Sequence, residues 1–349
     1  MTEKIGKYYY YSGVVHVHTT ESDGTKPLSE LTTIANKADL DFMLVSDHMN
    51  LNNRGRNLEG FYGKLLVLVG YEHNDINDEN HFLIFGSPKV YPSEMSPAEY
   101  VAAVRNDGAL GIMAHPDETR NRMVKYPPYP WTDWSVDDVD GIELWNQMSE
   151  WMEKLTPSNR LAMAFSPRKS MVGPTDRLLA KWDTINAQRK CVGIASADAH
   201  AFPIPIGPFK VEIFPYKVHF RALRTHLLLR EELSRDFHSA RDQIYAALRD
   251  CRAYLSNMRW GNAETFEFWA VSPQRSVTMG GQIEHTDGVT LKVKLQDSAT
   301  IKLVGNGKVI AQTVSDRLEY SVETDGIYRV EAWKGKRGWI FSNHIRIGK

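Results

Sequence analysis

Short apolar runs recur along the first two hundred residues, and each leads into a histidine or a carboxylate. Five runs follow this pattern: 14–15 before His16, 42–45 before Asp47, 65–69 before Glu72, 110–114 before His115, and 191–195 before Asp198. Continuous apolar runs are typical of strands that are buried on both faces of a parallel sheet. The pattern therefore predicts five buried strands, with polar side chains gathered where these strands end.

The segments between these runs carry apolar residues at helical spacing. In 27–38, Pro27 suits a first turn and the apolar residues recur every three or four positions, which gives one apolar face. Similar patterns cover 96–108 and 175–188. Alternation of strand and helix favours right-handed β/α units on a mostly parallel sheet. We therefore predict a barrel-like α/β domain that is distorted and has fewer than eight strands.

The pattern changes after a predicted helix at 240–249. From about residue 261, short alternating runs are separated by turn signals, and they cover 289–295, 300–304, 308–311 and 327–333. Gly305-Asn306-Gly307 is a tight-turn signal between two of these runs. The sequence thus predicts two domains, an α/β barrel at 1–260 and a small antiparallel β-sandwich at 261–349. The sandwich is expected to serve packing, oligomerisation or the edging of a pocket.

Composition excludes several classes of protein. The 349 residues include 42 Lys and Arg against 43 Asp and Glu, so the net charge of -1 creates no field that favours nucleic acid or an anionic membrane. The two cysteines, Cys191 and Cys251, fit free thiols in a reducing compartment. No run approaches the ~20 apolar residues of a membrane span, and no signal core follows Met1. We expect a cytoplasmic protein without bulk nucleic-acid or membrane binding, and a homo-oligomer stays compatible with these features.

Nine residues at or near the ends of the apolar runs have side chains that bind metal ions: His16, His18, Asp23, His48, Glu72, His81, His115, Asp198 and His200. Residues two apart in an extended strand share a face, so His16 and His18 can present both imidazoles to one metal ion. Asp198 and His200 repeat this spacing. One such pair is weak evidence, but two pairs together with the isolated ligands favour a multinuclear metal site.

The other histidines are interpreted as having no ligand role. His73 directly follows Glu72 and would point to the opposite face of an extended strand, so His81 is the better ligand. Three more histidines lie in a segment rich in Lys and Arg and are expected to be solvated on a helix: His219, His226 and His238.

The motifs around the nine residues resemble those of a known family. In chain order they are His16-Val17-His18 with Asp23-Gly24, Ser46-Asp47-His48, Glu72 with His81, Ala114-His115-Pro116, and Ser196 to His200. They are similar to the successive motifs of the polymerase and histidinol phosphatase (PHP) metallohydrolase superfamily, over about residues 12–260. The tail, at 326–331 and 339–343, resembles the C-terminal sandwich of the carbaryl-hydrolase-like branch.

This resemblance implies a distorted (β/α)7 barrel, up to three metal ions and a set of ligands for each. The first ion would be held by His16, His18, Glu72 and Asp198, the second by Glu72 as a bridge with His81 and His115, and the third by Asp23, His48 and His200. Many members have histidine where this chain has Asp23. A carboxylate makes that site harder and favours manganese or iron over zinc. The expected cofactors are two or three divalent ions of Mn, Fe or Zn.

The resemblance also implies a reaction, for which our hypothesis is hydrolysis by a hydroxide that bridges metal ions held by Glu72 and Asp198. Divalent ions lower the pKa of such a water toward about 7. The substrate would be a small phosphomonoester or phosphodiester. Hydrolysis of a carboxyl ester or carbamate by the same ions is the alternative, and it predicts an apolar pocket with few arginines. A non-catalytic module is a third interpretation, against which the complete ligand set argues.

Other candidates for substrate binding lie on loops. Two pairs of arginines follow predicted ligands: Arg54 and Arg56 after His48, and Arg120 and Arg122 after His115. A guanidinium can hold a phosphate by bidentate hydrogen bonds, which favours the phosphoester hypothesis. The aromatic, proline-rich stretch 126–134 is interpreted as a packed surface loop, with the edging of a pocket as the alternative.

Asp47 is a candidate for a supporting role because it directly precedes His48. A ligand imidazole commonly needs a carboxylate on its second nitrogen to fix its orientation. Capping of the strand end is the alternative role for this aspartate.

Overall fold

The computed structural model describes residues 7–120, 127–136, 138–206, 209–286 and 288–348. The chain is a mixed α/β protein with a large sheet and a strand-rich C-terminal region. In chain order the strands are β1 (Tyr9–Val17), β2 (Phe42–His48), β3 (Gly60–Tyr62), β4 (Leu65–His73), β5 (Phe82–Phe85), β6 (Leu110–Met113), β7 (Gly141–Asn146), β8 (Val192–Ser196), β9 (Pro203–Ile206), β10 (Phe209–Glu212), β11 (Leu223–Leu229), β12 (Ala253–Asn257), β13 (Glu267–Val271), β14 (Ser276–Thr278), β15 (Gln282–Ile283), β16 (Thr290–Gly305), β17 (Lys308–Ser321), β18 (Gly326–Lys334), β19 (Arg337–Ser342) and β20 (Ile345–Ile347).

The helices are α1 (Leu28–Lys37), α2 (Asn52–Gly55), α3 (Pro97–Asn106), α4 (Gln147–Lys154), α5 (Arg160–Phe165), α6 (Asp176–Gln188), α7 (Tyr216–His219) and α8 (Phe237–Arg249), with a 3₁₀ turn at Pro167–Lys169. The predicted helices at 27–38, 96–108, 175–188 and 240–249 correspond to α1, α3, α6 and α8. Residues before two of them act as caps: the Ser96 amide donates to Glu99 (2.8 Å), and the Thr175 hydroxyl accepts from the Leu178 amide (3.1 Å). Among the described residues, no helix is both long and apolar enough to cross a membrane.

Contacts divide the chain into two compact units whose segments alternate along the sequence. The histidine-rich unit contains Ser12–Met171 and Ala195–Arg224. The strand-rich unit contains Val172–Ile194 and Thr225–Lys349, together with the residues up to Tyr11. Because the units interleave, the two-domain division at residue 260 stays a prediction.

The sheet of the histidine-rich unit combines parallel and antiparallel pairs, so the prediction of a mostly parallel sheet is met only in part. Two strands, β3 and β5, run antiparallel to β4. β1 pairs with β2, and β2 pairs with β4, both in parallel. β5 then runs antiparallel to both β4 and β6, and β6 runs parallel to β7. The described pairings do not close into a ring, so the seven-stranded barrel also stays a prediction.

The reversed strand β5 explains the place of His81. β5 begins directly after His81, and its antiparallel partner β4 ends at His73, with Glu72 opposite Leu83. The start of an antiparallel strand lies at the same edge of the sheet as the end of its neighbour. Reversal of β5 therefore brings His81 to the edge at which Glu72 lies.

An apolar layer between α1 and the sheet supports this edge. Strand residues such as Val14, Met43 and Val67 pack with Leu28 and Leu31 of α1, and all five are at most 2 % exposed. Burial of each such side chain stabilises the fold by roughly 1.5–3 kcal/mol relative to an exposed one. The helical periodicity that predicted α1 thus corresponds to real packing.

The strand-rich unit is built around the long hairpin of β16 and β17. β16 pairs antiparallel with β13, β17 and β18. The two strands predicted at 289–295 and 300–304 are one strand, whose pairing with β17 is irregular between Lys294 and Ala299. The predicted turn is present: Asn306 and Gly307 have φ of 50° and 75°, as a two-residue type I′ turn requires.

The expectation that the histidines near residue 220 are solvated is wrong for two of the three. His226 lies in β11, is 1 % exposed, and its Nε2 is 2.6 Å from the Ser256 hydroxyl. His219 is fully buried and stacks on Phe214, with ring centroids 4.0 Å apart. The apolar residues Leu227 to Leu229 belong to β11 and are buried in the core. For burial of this segment, that apolar run matters more than the basic residues around it.

Candidate metal centre

All nine predicted ligands lie together in the histidine-rich unit. Their ligand atoms form four overlapping groups in which all atoms lie within 4.8 Å of one another: His18, Asp23, His48 and His200; His16, His18 and Glu72; His16, His115 and Asp198; and His48, Glu72 and His81. The predicted third set, Asp23 with His48 and His200, is found in one group with His18 added. The groups otherwise cross the boundaries of the predicted sets, so the assignment of ligands to individual ions stays a prediction.

Glu72 is the hub of this cluster. It lies at the end of β4, is 1 % exposed, and faces five imidazoles. Oε1 lies 2.7 Å from His81 Nδ1 and 3.1 Å from His115 Nε2, while Oε2 lies 2.9 Å from His16 Nε2, 3.3 Å from His18 Nε2 and 3.4 Å from His48 Nδ1. The two carboxylate oxygens thus lie next to different histidines, which is the arrangement that a carboxylate bridging two metal ions needs.

Two aspartates lie on either side of His200. Asp198 Oδ1 is 3.4 Å from His200 Nδ1, and it is 3.5 Å from Nε2 of both His16 and His18. Asp23 Oδ1 is 3.1 Å from His200 Nε2. Each of the nine predicted ligands therefore has a neighbour of the other kind: every histidine has a carboxylate oxygen near a ring nitrogen, and every carboxylate has a ring nitrogen near an oxygen.

Three of the ligands have an unusual backbone. His16, His115 and Asp198 have φ of 64°, 27° and 48°, in or near the left-handed region that residues with a Cβ rarely adopt. The prediction that His16 and His18 share a face of a regular strand is therefore wrong in its premise, because the pairing of β1 with β2 shifts between Val15 and Val17. Both imidazoles still reach the cluster, with ring centroids 4.9 Å apart. Strain of this kind gathers at functional sites.

The carboxylates control the electrostatics of the cluster. Burial lowers the pKa of a histidine, but Glu72 and its neighbours outweigh this and raise the pKa of His16 well above its ordinary value, and that of His81 to about 10. Burial also raises the pKa of a carboxyl group, yet the surrounding histidines hold the pKa of Glu72 and Asp198 well below the usual range. Imidazoles and carboxylates in this cluster therefore stabilise each other's charged forms.

The donor set fits divalent metal ions. Nε2 of His18 lies 3.3 Å from Glu72 and Nε2 of His81 lies 3.4 Å from Asp78, yet both nitrogens are buried and neither makes a well-directed hydrogen bond within the described part of the chain. Buried polar atoms normally have partners, and an orphaned ring nitrogen beside carboxylates is what a metal ligand looks like without its ion. Imidazole and carboxylate donors together suit zinc, iron or manganese.

Glu143 is a member of this site that the sequence analysis missed. It lies in β7, is 1 % exposed, and its Oε1 is 2.8 Å from His16 Nδ1. Oε2 accepts hydrogen bonds from the His115 amide (2.8 Å) and from Asn146 Nδ2 (2.9 Å). One signal was available, since a glutamate between Ile142 and Leu144 is a charged residue inside an apolar strand.

Asp47 supports a loop rather than a ligand ring. Its carboxylate accepts hydrogen bonds from the Thr19 amide and hydroxyl and from the Ser22 hydroxyl, each at 2.7 Å, and from Asn53 Nδ2 at 2.9 Å. No contact with the His48 ring is among those described. Asp47 therefore fastens the loop between His18 and Asp23 to the end of β2, which is close to the capping role.

A cavity of about 390 Å³ opens over the cluster, and seven of the nine predicted ligands line it. Among the predicted arginines Arg120 lines the cavity, while Arg122 lies outside the described residues. Arg54 donates to the Ser87 carbonyl (2.5 Å) and pairs with Glu59, and Arg56 is 61 % exposed and pairs with Glu21. Neither is among the residues that line the cavity, and their role in substrate binding stays a prediction.

The stretch at 126–134 contributes both to packing and to this cavity. Trp131 is 2 % exposed and packs near Phe82 and Tyr100. Tyr129 lines the cavity, and its ring stacks on His81 with centroids 4.9 Å apart. The sequence analysis favoured a packed surface loop for this stretch, but Tyr129 lies at the edge of the pocket, as the alternative interpretation predicts.

No protein-family model and no curated protein matches this chain. The solved structures that are similar to it include the following two. One is a two-domain protein from Bacteroides vulgatus that contains a predicted PHP-like metal-dependent phosphoesterase; it is 13 % identical, the match covers 97 % of this chain and 95 % of that one, and the TM-score is 0.45. The other structure, from Bifidobacterium adolescentis and assigned as a metal-dependent phosphoesterase, is 16 % identical, covers 57 % of this chain and 92 % of its own, and has a TM-score of 0.36.

Proposed function

We propose that this chain is a metal-dependent hydrolase of the PHP type that cleaves a phosphoester of a small molecule. The observation that carries the proposal is the meeting of nine histidine and carboxylate ligands beneath one cavity. A volume of about 390 Å³ suits a ligand of metabolite size.

Metal ions would offset the charge of the carboxylates that line the cavity. Five carboxylates line it, namely Asp23, Glu72, Asp78, Glu118 and Asp198, against one arginine, Arg120. An anionic phosphoester would be repelled by these carboxylates in the absence of cations. Divalent ions at this site would bind the phosphoryl oxygens, neutralise charge in the transition state and lower the pKa of water.

The protein's own residues fix the geometry of the ligands. Glu143 holds the His16 ring through Nδ1 and leaves Nε2 directed at Glu72. Asn146 links the Glu143 carboxylate to Asp198, with its Nδ2 at 3.3 Å from Asp198 Oδ2. None of the described residues that line the cavity is serine, cysteine or lysine, so the nucleophile we propose is water.

Hydrolysis of a carboxyl ester or carbamate is the second candidate, and one observation favours it. Part of the cavity wall is apolar, formed by Met148, Met152 and Phe202, and Arg120 is already paired with Glu118. An apolar pocket with few arginines is what this alternative predicts. Both reactions would use the same ligand cluster.

The deciding experiment compares two substrates with the same protein. Manganese-loaded wild type is assayed for release of nitrophenol from bis(p-nitrophenyl) phosphate and of naphthol from a naphthyl ester. Turnover of the phosphodiester that is lost on chelation and in His16→Ala supports the proposal, and the exposed His238→Ala serves as the control variant that should keep it. Turnover of the carboxyl ester alone would replace it with the second candidate. Failure of the protein to bind metal would contradict both.

A further inference from the structure

The cavity above the cluster has two chemically different sides, each marked by an aromatic ring on a histidine ligand. Phe202 stacks on His200 with ring centroids 5.1 Å apart and 9° between the planes. Tyr129 stacks on His81 at 4.9 Å and 18°. The two histidines belong to different ligand groups, which share His48, so each ring marks a different end of the cavity lining.

The end at Phe202 is apolar. Met148 and Met152 line the cavity with Phe202, and since they are four residues apart on α4 they lie on one face of that helix. They are only 3 % and 8 % exposed, because Trp151, Met163 and Phe214 pack behind them. This apolar wall, defined as Met148, Met152 and Phe202, is therefore a fixed surface rather than a set of loose side chains.

The end at Tyr129 is polar and already internally paired. Glu118 accepts hydrogen bonds from the Tyr129 amide (2.8 Å) and the Ser149 hydroxyl (2.5 Å), and it pairs with Arg120. The Arg120 guanidinium lies 5.7 Å from the centre of the Tyr129 ring. This end therefore carries hydrogen-bonding side chains, whereas the side chains of the apolar wall have none to offer a ligand.

We propose that the apolar wall is the subsite for an uncharged, hydrophobic group of the substrate, so that the ester cleaved here is that of a hydrophobic alcohol or phenol rather than of a sugar or nucleoside. The inference rests on the proposed hydrolase function. Hydroxyl groups placed against three apolar side chains would lose their hydrogen bonds to water without replacement, which costs binding free energy. An aromatic or branched alkyl group instead gains from burial there.

The kind of side chain also indicates how strict this subsite is. Methionine is unbranched and adapts its shape to a neighbour, so a pair of methionines accepts hydrophobic groups of several outlines. Phe202 adds a flat surface that suits a planar ring. The wall is expected to discriminate by polarity more than by shape.

The first test compares kcat/KM of manganese-loaded protein for 1-naphthyl phosphate and for glycerol phosphate. Wild type should prefer the naphthyl ester. Met152→Gln keeps the length of the side chain but makes it polar, and it should reduce kcat/KM for the naphthyl ester about tenfold while that for glycerol phosphate stays within about twofold. Met152→Leu should retain the preference, and Met95→Gln, which lies outside the cavity lining, should behave as wild type.

The second test does not depend on activity. Calorimetric titration of the metal-free protein with 1-naphthol should show binding that Met152→Gln weakens about tenfold and Met95→Gln does not. Suppose that wild type binds naphthol, that Met152→Gln loses this binding, and that the protein hydrolyses neither phosphate. The apolar wall would then be supported as a subsite, and the phosphoesterase proposal would be overturned. Hydrolysis of both phosphates with equal losses in Met152→Gln, or a preference for glycerol phosphate, would overturn the hydrophobic subsite and leave the hydrolase intact.

Discussion

His16 is held between two glutamates, with Nδ1 2.8 Å from Glu143 Oε1 and Nε2 2.9 Å from Glu72 Oε2. All three side chains are at most 1 % exposed. The ring cannot turn without losing both contacts, so Glu143 decides which nitrogen His16 offers to the cluster. A carboxylate behind a ligand imidazole also makes the imidazole a stronger base.

Glu143→Gln should therefore weaken metal binding while leaving the fold in place. The amide keeps the size of the side chain but loses the charge that fixes the His16 ring, and changes of this kind cost roughly 10–100-fold in metal affinity. The effect is measured by titrating manganese into protein from which a chelator has removed the metal. Glu153→Gln is the matched control, because Glu153 binds the Thr119 amide and contacts no ligand in the described structure. Equal affinities in the two variants would contradict a role of Glu143 in orienting His16.

The left-handed backbone of His16 predicts an unusual order of stabilities. Its φ of 64° costs a residue with a Cβ about 1–2 kcal/mol relative to glycine. In metal-free protein, His16→Gly should therefore be more stable than His16→Ala by about 1 kcal/mol, as measured by urea unfolding.

The neighbouring ligand His18 provides the control for this comparison. His18 is not among the residues with positive φ, so His18→Gly should be less stable than His18→Ala by about 0.5–1 kcal/mol. If the glycine variant is less stable than the alanine variant at both positions, His16 carries no backbone strain.

The arginines differ in what their loss should do. Arg120 is 8 % exposed and lines the cavity, while Arg56 is 61 % exposed and pairs with Glu21 away from it. Arg120→Gln should raise KM for a phosphoester by about tenfold, since a charged hydrogen bond contributes roughly 1.5–3 kcal/mol. Arg56→Gln should leave KM within about twofold of wild type. The melting temperature of each variant separates lost binding from lost folding, because Arg120 also donates to the Pro127 carbonyl (2.9 Å).

Much of the histidine and carboxylate cluster could be predicted because strand ends are local features of sequence. Apolar runs placed β1, β2, β4 and β6, and each of these ends near a residue that reaches the cluster. His81 Nδ1 contacts Glu72 in the cluster, whereas His73 packs on Tyr100, and the choice of His81 as the metal ligand stays a prediction. Face alternation in a strand is dictated by the backbone, which is the basis of that choice.

What could not be predicted depends on contacts between distant residues. β5 has four residues, and its antiparallel direction follows from its pairing with β4 and β6 rather than from its own composition. The role of Glu143 requires that β7 lie beside the strand that ends before His115. The apolar wall joins α4 to Phe202, 50 residues later in the chain, and no local pattern marks that meeting.

The strand-rich unit contains a buried charged group that predicts how its stability depends on pH. Asp183 of α6 accepts hydrogen bonds from Arg329 Nε (2.7 Å) and from His344 Nε2 (2.7 Å). His344 Nδ1 is buried and has no hydrogen-bond partner among the described residues. The neutral ring with its proton on Nε2 satisfies this arrangement, whereas a second proton on Nδ1 would be a buried donor without an acceptor.

Burial, together with Arg329 and Arg346 nearby, outweighs Asp183 and lowers the pKa of His344 to about 4. In the unfolded chain histidine titrates near 6.5. Between these values the unfolded state binds a proton that the folded state does not, so this contribution to stability is complete above about pH 6.5 and is lost as the pH falls toward 4. The loss amounts to about 2 kcal/mol at pH 5, since each unit of pKa difference corresponds to ~1.4 kcal/mol.

His344→Gln should remove this pH dependence while keeping a donor for Asp183. Urea unfolding of metal-free wild type is expected to show a fall in the free energy of unfolding between pH 7 and pH 5 that exceeds the fall in His344→Gln by about 2 kcal/mol. The buried histidines common to both proteins, such as His219, cancel in this difference. His238→Gln should keep the wild-type dependence, because that side chain is exposed in the folded protein as it is in the unfolded chain. Parallel pH profiles for wild type and His344→Gln would show that His344 carries a proton in the folded state at pH 5.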